Sequence, residues 1–315
     1  MQSVLSRSEF QNEEAAFAYV ESKLWPSGSE CPHCGVVGQA GRLRGKTTRP
    51  GLWKCYACRK PFTVRMGSVF EASHVPLTIW LQAMYLMCAS KKGISTRQLQ
   101  RMIGCGLKTA WFLGHRIREA MKETRQFFDE PLGGPWRVVE SDETCIGRKA
   151  SSRAYEPPKP KQAVTALVER GGAVRSFHVP NVTAANLQPI IAKHVHMDSR
   201  YMTDSGTVAN MLGLPFRGRH QTVNHSAKEY VRGSVYTNTV EGYFSILKRG
   251  IYGVYQHVSE AHLQRYPTEF DFRYSNRAKL GIDDVARTDL AIQGAQGRGL
   301  TYRSVGRGRP AATTV

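Results

Sequence analysis

The chain opens on a helical period. Phe17, Val20 and Leu24 recur at three- and four-residue spacing, which predicts an amphipathic helix over residues 8–25. Ser8 and Gln11 stand at capping-box spacing at its start, and Pro26-Ser-Gly-Ser ends it. Residues 76–122 predict three more helices: a largely apolar one from Pro76, a short one capped by Ser95, and a third from Leu107. Gly104-Cys-Gly106 makes the turn between the last two. Short helix, glycine turn and basic helix is the order of a helix-turn-helix, with Lys108, His115, Arg116 and Arg118 as the residues to touch DNA. A plain three-helix linker has the same pattern.

After Pro131-Leu-Gly-Gly-Pro135 the period drops to two. Strands are predicted over 136–146, 162–169 and 173–180, with Gly171-Gly172 as a hairpin turn. A helix over Ala184–His196 and a short buried strand at Tyr201–Thr203 follow. Three hairpin-ordered strands, a helix, a strand and further helices is the order of a ribonuclease H-like domain. Residues 205–234 read as irregular and polar, with Arg217, Arg219, His220, His225 and Lys228. Helical spacing returns near Thr237–Asn238, either of which serves as a cap, and runs to Gly250. It puts Tyr243, Phe244 and Leu247 near an apolar stripe and Glu241, Ser245 and Lys248 on the opposite face. A last helix is expected over 258–273, kinked or ended by Pro267. The fold class is therefore α/β (α+β). Its divisions are an N-terminal helix (1–26), a small unit (27–70), a helical unit (71–130), a mixed unit (135–280) and a basic flexible tail (281–315). Arg-Gly repeats from about Gly294 give that tail the character of a weak backbone-binding arm.

Composition adds a partner. Hydrophobic residues make up 41%, ordinary for a globular chain, so wholesale disorder is excluded. Lys and Arg number 44 against 25 Asp and Glu, a formal charge of +19. Charge of that size recurring from end to end favours a polyanion, with nucleic acid first and a merely basic ribosome-associated protein as the alternative. No apolar run reaches 18 residues, and the N-terminus lacks the apolar core of a signal peptide, so the expectation is a cytosolic protein with reduced thiols and no membrane partner. Of the seven cysteines, Cys88, Cys105 and Cys145 are scattered and read as small buried hydrophobes.

The other four are paired. Cys31-Pro-His-Cys34 and Cys55-Tyr-Ala-Cys58 are separated by twenty residues, the spacing of a zinc site built from two knuckles. Each tight turn supplies two thiolates, and four close a tetrahedron with no open position, so this zinc is structural. Redox cysteines or an iron–sulfur site are the rival uses, and His33 reads as solvated. A ribbon this small has too little core to fold without its metal.

Carboxylates carry the second constellation. Val138-Val-Glu-Ser-Asp142 and Tyr201-Met-Thr-Asp204 each end an apolar strand in an acid, and strand ends converge at a sheet edge. Glu241, from the later helix, completes a set for hard divalent cations. Two such ions activate the attacking oxygen and stabilise the leaving oxygen in an in-line phosphoryl displacement, with Lys248 and Arg249 holding the scissile strand. A lone Glu…Lys pair on a helix would ordinarily be a solvated ion pair; the two upstream acids change that. Glu140 shares a strand face with Asp142 by period two, so either is a candidate first ligand; Asp142 is preferred, with Glu140 behind it. Glu143 points to the other face as a structural residue, and Asp198 is a weaker rival to Asp204. No serine elbow or base-paired cysteine offers a covalent nucleophile.

At these residues the chain resembles the DDE transposases of bacterial insertion sequences that carry an N-terminal zinc ribbon, the ISXO-like group. The matching pieces are the two Cys knuckles, Ser-Asp142-Glu-Thr, Thr-Asp204-Ser-Gly, Thr-Asn238-Thr-Val-Glu241 through Leu-Lys248-Arg-Gly250, His262-Leu-Gln-Arg-Tyr266 and Phe272-Arg-Tyr-Ser-Asn-Arg277. They span nearly the whole chain in order. The resemblance implies a ribonuclease H-like catalytic domain, Mg2+ or Mn2+, cleavage and joining of double-stranded DNA at element ends, a homo-oligomer on that DNA and a nucleoid-associated location. It carries over Asp142, Asp204 and Glu241 as metal ligands, with His225 and Asn238 as neighbours only. Tyr236 stands where His is usual, Phe244 where Trp is usual, and Pro267 falls within the final helix; the metal ligands are intact. An inert zinc-ribbon, helix-turn-helix regulator and a metal-dependent nuclease without joining are the competing functions.

Overall fold

The computed structural model describes residues 3–122, 130–147, 161–216 and 218–300. Arg217 and the end of the Arg-Gly tail lie outside the described residues.

The N-terminal stretch forms two helices, α1 (Ser8–Gln11) and α2 (Glu13–Leu24). The expected single helix breaks at Asn12, whose side chain accepts from Ala15 N and starts α2. Gln11 makes no capping box; its amide donates to the Leu5 carbonyl. Next comes a three-stranded antiparallel ribbon, β1 (Ala40–Arg42), β2 (Trp53–Cys55) and β3 (Pro61–Phe62). Its inner face packs Trp53 and Phe62 edge-on against Trp25, and Trp53 Nε1 donates to Glu21 of α2.

Helices α3 (Leu77–Ala89), α4 (Thr96–Ile103) and α5 (Leu107–Ala120) follow. Ser95 caps α4, and Gly104, at φ +65°, ends it in the left-handed region that a glycine occupies without strain. Pro76 offers α3 no side-chain cap. Glu13 supplies one from α2, accepting from Leu77 N, Thr78 N and the Thr78 hydroxyl, with Arg65 as its counterion.

The mixed sheet contains β4 (Val138–Ile146), β5 (Gln162–Glu169) and β6 (Val174–Val179) as antiparallel neighbours. Helix α6 (Ala184–His194) leads to β7 (Arg200–Asp204), α7 (Thr207–Gly213) and β8 (His220–Val223), and β7 and β8 join parallel to β4. The order is β6-β5-β4-β7-β8. The stretch expected to be irregular thus supplies a helix and the fifth strand. A hairpin, β9 (Val231–Arg232) and β10 (Val235–Tyr236), precedes α8 (Asn238–Gly250). Then come α9 (Arg265–Ser275) and α10 (Asp284–Gln293). Pro267 falls in the first turn of α9, where its missing N–H has no helical partner to lose, so it neither kinks nor ends the helix.

Three layers result. On one sheet face, Ile146, Val164, Ala166 and Val168 meet Tyr243, Phe244 and Leu247 of α8 and Phe270 of α9. On the other, Val139, Leu167 and Tyr201 meet Leu187, Ile191, Leu212 and Phe216. A separate core gathers α1–α5 with Ala291 and Ile292 of α10. The flexible tail expected from residue 281 is therefore a packed helix over Asp284–Gln293, started by the Asp283 carboxylate on Ala286 N. Among the scattered cysteines only Cys88 is buried; Cys105 is half-buried and Cys145 exposed. No helix among the described residues is long and apolar enough to cross a membrane.

Candidate active site and metal centre

Parallel pairing sets the acidic residues. Glu140 of β4 registers with Met202 of β7, the last pair of their ladder; Asp142 lies two residues past it, in the middle of β4 rather than at the expected strand end, and Asp204 ends β7. Burial pushes the Asp142 carboxyl up to about 6; the charges of Asp204 and Glu241 add to the rise, while the Glu143 N–H, 2.7 Å from Oδ1, and His225 oppose it. Asp142 thus feels both other members of the expected set.

Glu241 is in the first turn of α8 with its side chain 43% exposed. Thr237 Oγ1 donates to it at 3.1 Å, and His225 Nε2 lies 3.5 Å away and also reaches Thr237 Oγ1. The carboxylates are spread more widely than the thiolates. Among the described residues, the four ribbon cysteines form the one group of His, Cys, Asp or Glu whose ligand atoms all lie within 4.8 Å of one another.

Glu143 falls on the opposite strand face by period two. It is half-buried, and burial together with the charges of the neighbouring Asp142 and of Asp204 pushes its carboxyl up to about 7. Asp198 stands apart, before the start of β7 and paired with Arg219 at 3.1 Å. Asn238, Ser245, Lys248 and Arg249 are exposed, and Arg249 Nε turns back to the Ser245 carbonyl.

Comparison with known proteins follows this geometry. The transposase zinc-ribbon domain matches residues 11–61, and the ISXO2-like transposase domain matches residues 131–275. The chain belongs to this family of insertion-sequence transposases. It is similar to an uncharacterized protein in transposable element ISH50 of Halobacterium salinarum, with 26% identity over 302 residues covering 89% of this chain and 98% of that protein.

In this transposase the four ribbon sulfurs fit a zinc ion. Cys31 and Cys58 Sγ are 3.7 Å apart, as are Cys34 and Cys55 Sγ. Thiolates at the usual Zn–S bond length of about 2.3 Å sit roughly 3.8 Å apart across a tetrahedron. The ribbon's own buried set is only Cys31, Cys55 and Phe62, so the metal replaces a core. Cys55→Ser is expected to lose zinc and unfold residues 30–60 while the five-stranded sheet stays folded; one zinc per chain retained by that variant removes the four-cysteine assignment.

The helix-turn-helix residues divide. Lys108 is exposed at the start of α5, and Arg97 and Arg101 are exposed on α4. Arg116 and Arg118 are not available to DNA: both are buried. Arg116 donates to the Glu71 carbonyl and lies over Trp80 and Phe112, and Arg118 pairs with Glu269 at 2.6 Å. His115 is buried too, and burial with the nearby Arg118 and Arg265 charges pushes its pKa down to about 3, keeping it neutral. An amphipathic reading of α5 from its basic residues alone misplaces them, because guanidiniums bury their stems against aromatic faces.

Sequence reasoning also missed Thr237 and Arg170. Thr237, four residues before Glu241, carries a signal in that helical spacing beyond its place as a cap. Arg170, in the β5–β6 turn, had none.

Proposed function

We propose that this transposase cleaves DNA at the ends of its insertion sequence and joins them to a target, using a ribonuclease H-like domain over residues 135–280. The observation that carries the reading is the convergence of three elements, with Asp142 on β4 feeling the negative charges of Asp204 at the end of β7 and Glu241 in the first turn of α8. Three antiparallel strands followed by two parallel ones, with helices on both faces, support the fold assignment. Asp142, Asp204 and Glu241 would hold two divalent ions, Mg2+ or Mn2+, which supply an activated attacking oxygen and a stabilised leaving oxygen. Thr237 and His225 orient the Glu241 carboxylate. Lys248 and Arg249, both about two turns beyond Glu241 on α8, stand on solvent where a phosphate backbone can reach them. Duplex binding belongs to the ribbon and to the exposed start of α5, and pairing two ends requires at least two copies of the chain.

Transfer of labelled element ends into a plasmid tests the reading against both rivals: nicking without joined product indicates a nuclease, and binding without nicking an inert regulator. Affinity for DNA should also fall steeply with salt, with a log–log slope of about −0.9 for each phosphate neutralised. A salt-insensitive affinity contradicts the basic-surface argument.

A further inference from the structure

Glu140 lies two residues before Asp142 on the same strand face, with no solvent exposure. Its Oε2 accepts from Thr239 N at 2.8 Å and Val240 N at 3.0 Å, and its Oε1 from the Thr239 hydroxyl at 2.7 Å and from Arg170 Nε. Those N–H groups belong to the first turn of α8, whose N-cap residue Thr237 makes no side-chain cap bond. Thr237 spends its hydroxyl proton on Glu241 instead. Arg170 completes the arrangement from the β5–β6 turn, donating to the carbonyls of Ser234 at 2.8 Å and Tyr236 at 2.7 Å. Its guanidinium lies 3.5 Å from the centre of the Tyr236 ring. One ion pair, between buried Glu140 and half-buried Arg170, therefore holds β4, the β9–β10 hairpin and the start of α8 together.

We propose that Glu140 and Arg170 are positioning residues that set Glu241 against Asp142 and Asp204, so that divalent-ion affinity depends on them. The proposal rests on the reading of those three carboxylates as a metal site. A cap from Thr237 would fix the helix only relative to its own loop. A cap from β4 fixes it relative to the strand that carries Asp142. The helix dipole and Arg170 together compensate the buried carboxylate, which is why a charge is tolerated there. The chain uses the same device at α3, where Glu13 with Arg65 caps a helix that Pro76 cannot.

The test is Mn2+ binding to the zinc-loaded protein, followed by electron paramagnetic resonance, alongside thermal melting and gel shift of end DNA. Glu140→Gln keeps size but has one acceptor oxygen for four donors. Its Mn2+ affinity is expected to fall tenfold or more, measured well below its own melting temperature, with DNA binding unchanged. Thr239→Val leaves the ion pair whole and removes one cap bond, so a severalfold loss is expected. The double variant Glu140→Met, Arg170→Met replaces the pair with apolar groups of similar volume, which ordinarily preserves stability; Mn2+ affinity should nevertheless stay weak. Wild-type Mn2+ affinity in Thr239→Val together with either folded Glu140 variant overturns the proposal and leaves the pair a stability element alone. If Glu241→Gln binds Mn2+ as the wild type does, it is the metal-site reading that has failed.

Discussion

Glu241→Gln should lower metal-dependent nicking of an element end by about a hundredfold or more, while gel-shift binding of the same DNA survives. A hundredfold loss is about 2.7 kcal/mol of transition-state stabilisation, within the range for removing one charged group from a phosphoryl-transfer site. The substitution keeps side-chain size and helix propensity and can still accept from Thr237. It removes one negative charge from a set of three that must balance two divalent ions. Asp142→Asn and Asp204→Asn should behave alike, and double variants should be scarcely worse than single ones, because the three act as a unit. DNA binding is separable because Lys108 and the ribbon cations lie on other elements. Wild-type nicking by Glu241→Gln would return this helix face to an ordinary solvated ion pair.

The acids were legible because the strands were. Val138–Ile146 does not alternate in burial, but its apolar start marks a strand, on which period two assigns Glu140 and Asp142 to one face, and the short apolar run before Asp204 announces a second buried strand. The ribbon was legible from cysteine spacing alone. His220–Val223 was not: four residues with three polar ones carry no period, and the strand exists because β7 offers it an open edge. Helix α10 was hidden because it is short and leads into the basic Arg-Gly stretch, and a packing partner about 200 residues earlier in the chain decides its state. The same long range hid the cap of α8. Glu140 looked like a rival ligand because nothing in the chain near residue 140 shows that a helix start arrives there 99 residues later.

Arginines misled most. In a chain of charge +19, a basic residue on a helix reads as a DNA contact, yet several are internal ties. Arg273 and Arg287 donate to the Met87 and Cys88 carbonyls, closing the C-terminal end of α3 with cations where the helix dipole favours them.

The sharpest consequence concerns Glu269 of α9. Its side chain has no exposure; it accepts from Arg118 Nε of α5 and the Tyr255 hydroxyl, both at 2.6 Å, and pairs with Arg273. Burial alone would raise its carboxyl, but the guanidiniums of Arg273 and Arg118 and the Tyr255 hydroxyl outweigh it and hold the group down to about 2. Because that value lies below the ordinary glutamate range, the stabilisation is present above that range and is lost only as the pH falls toward 2. Glu269→Gln leaves two guanidiniums, each about 6% exposed, without their shared counterion. Stranding a buried charge costs about 3–5 kcal/mol, which corresponds to a fall in melting temperature on the order of 10 °C. Arg118→Met should cost less, since Arg273 still balances the carboxylate. Combining Arg118→Met with Glu269→Gln should be milder than the sum, because only one guanidinium is then unpaired. Since Arg118 and Glu269 join the helical core to the sheet-covering helix, Glu269→Gln should also loosen that seam, seen as faster amide exchange in both α5 and α9. A melting temperature within a degree of wild type for Glu269→Gln would mean that water reaches these groups and that the seam is held by its apolar contacts alone.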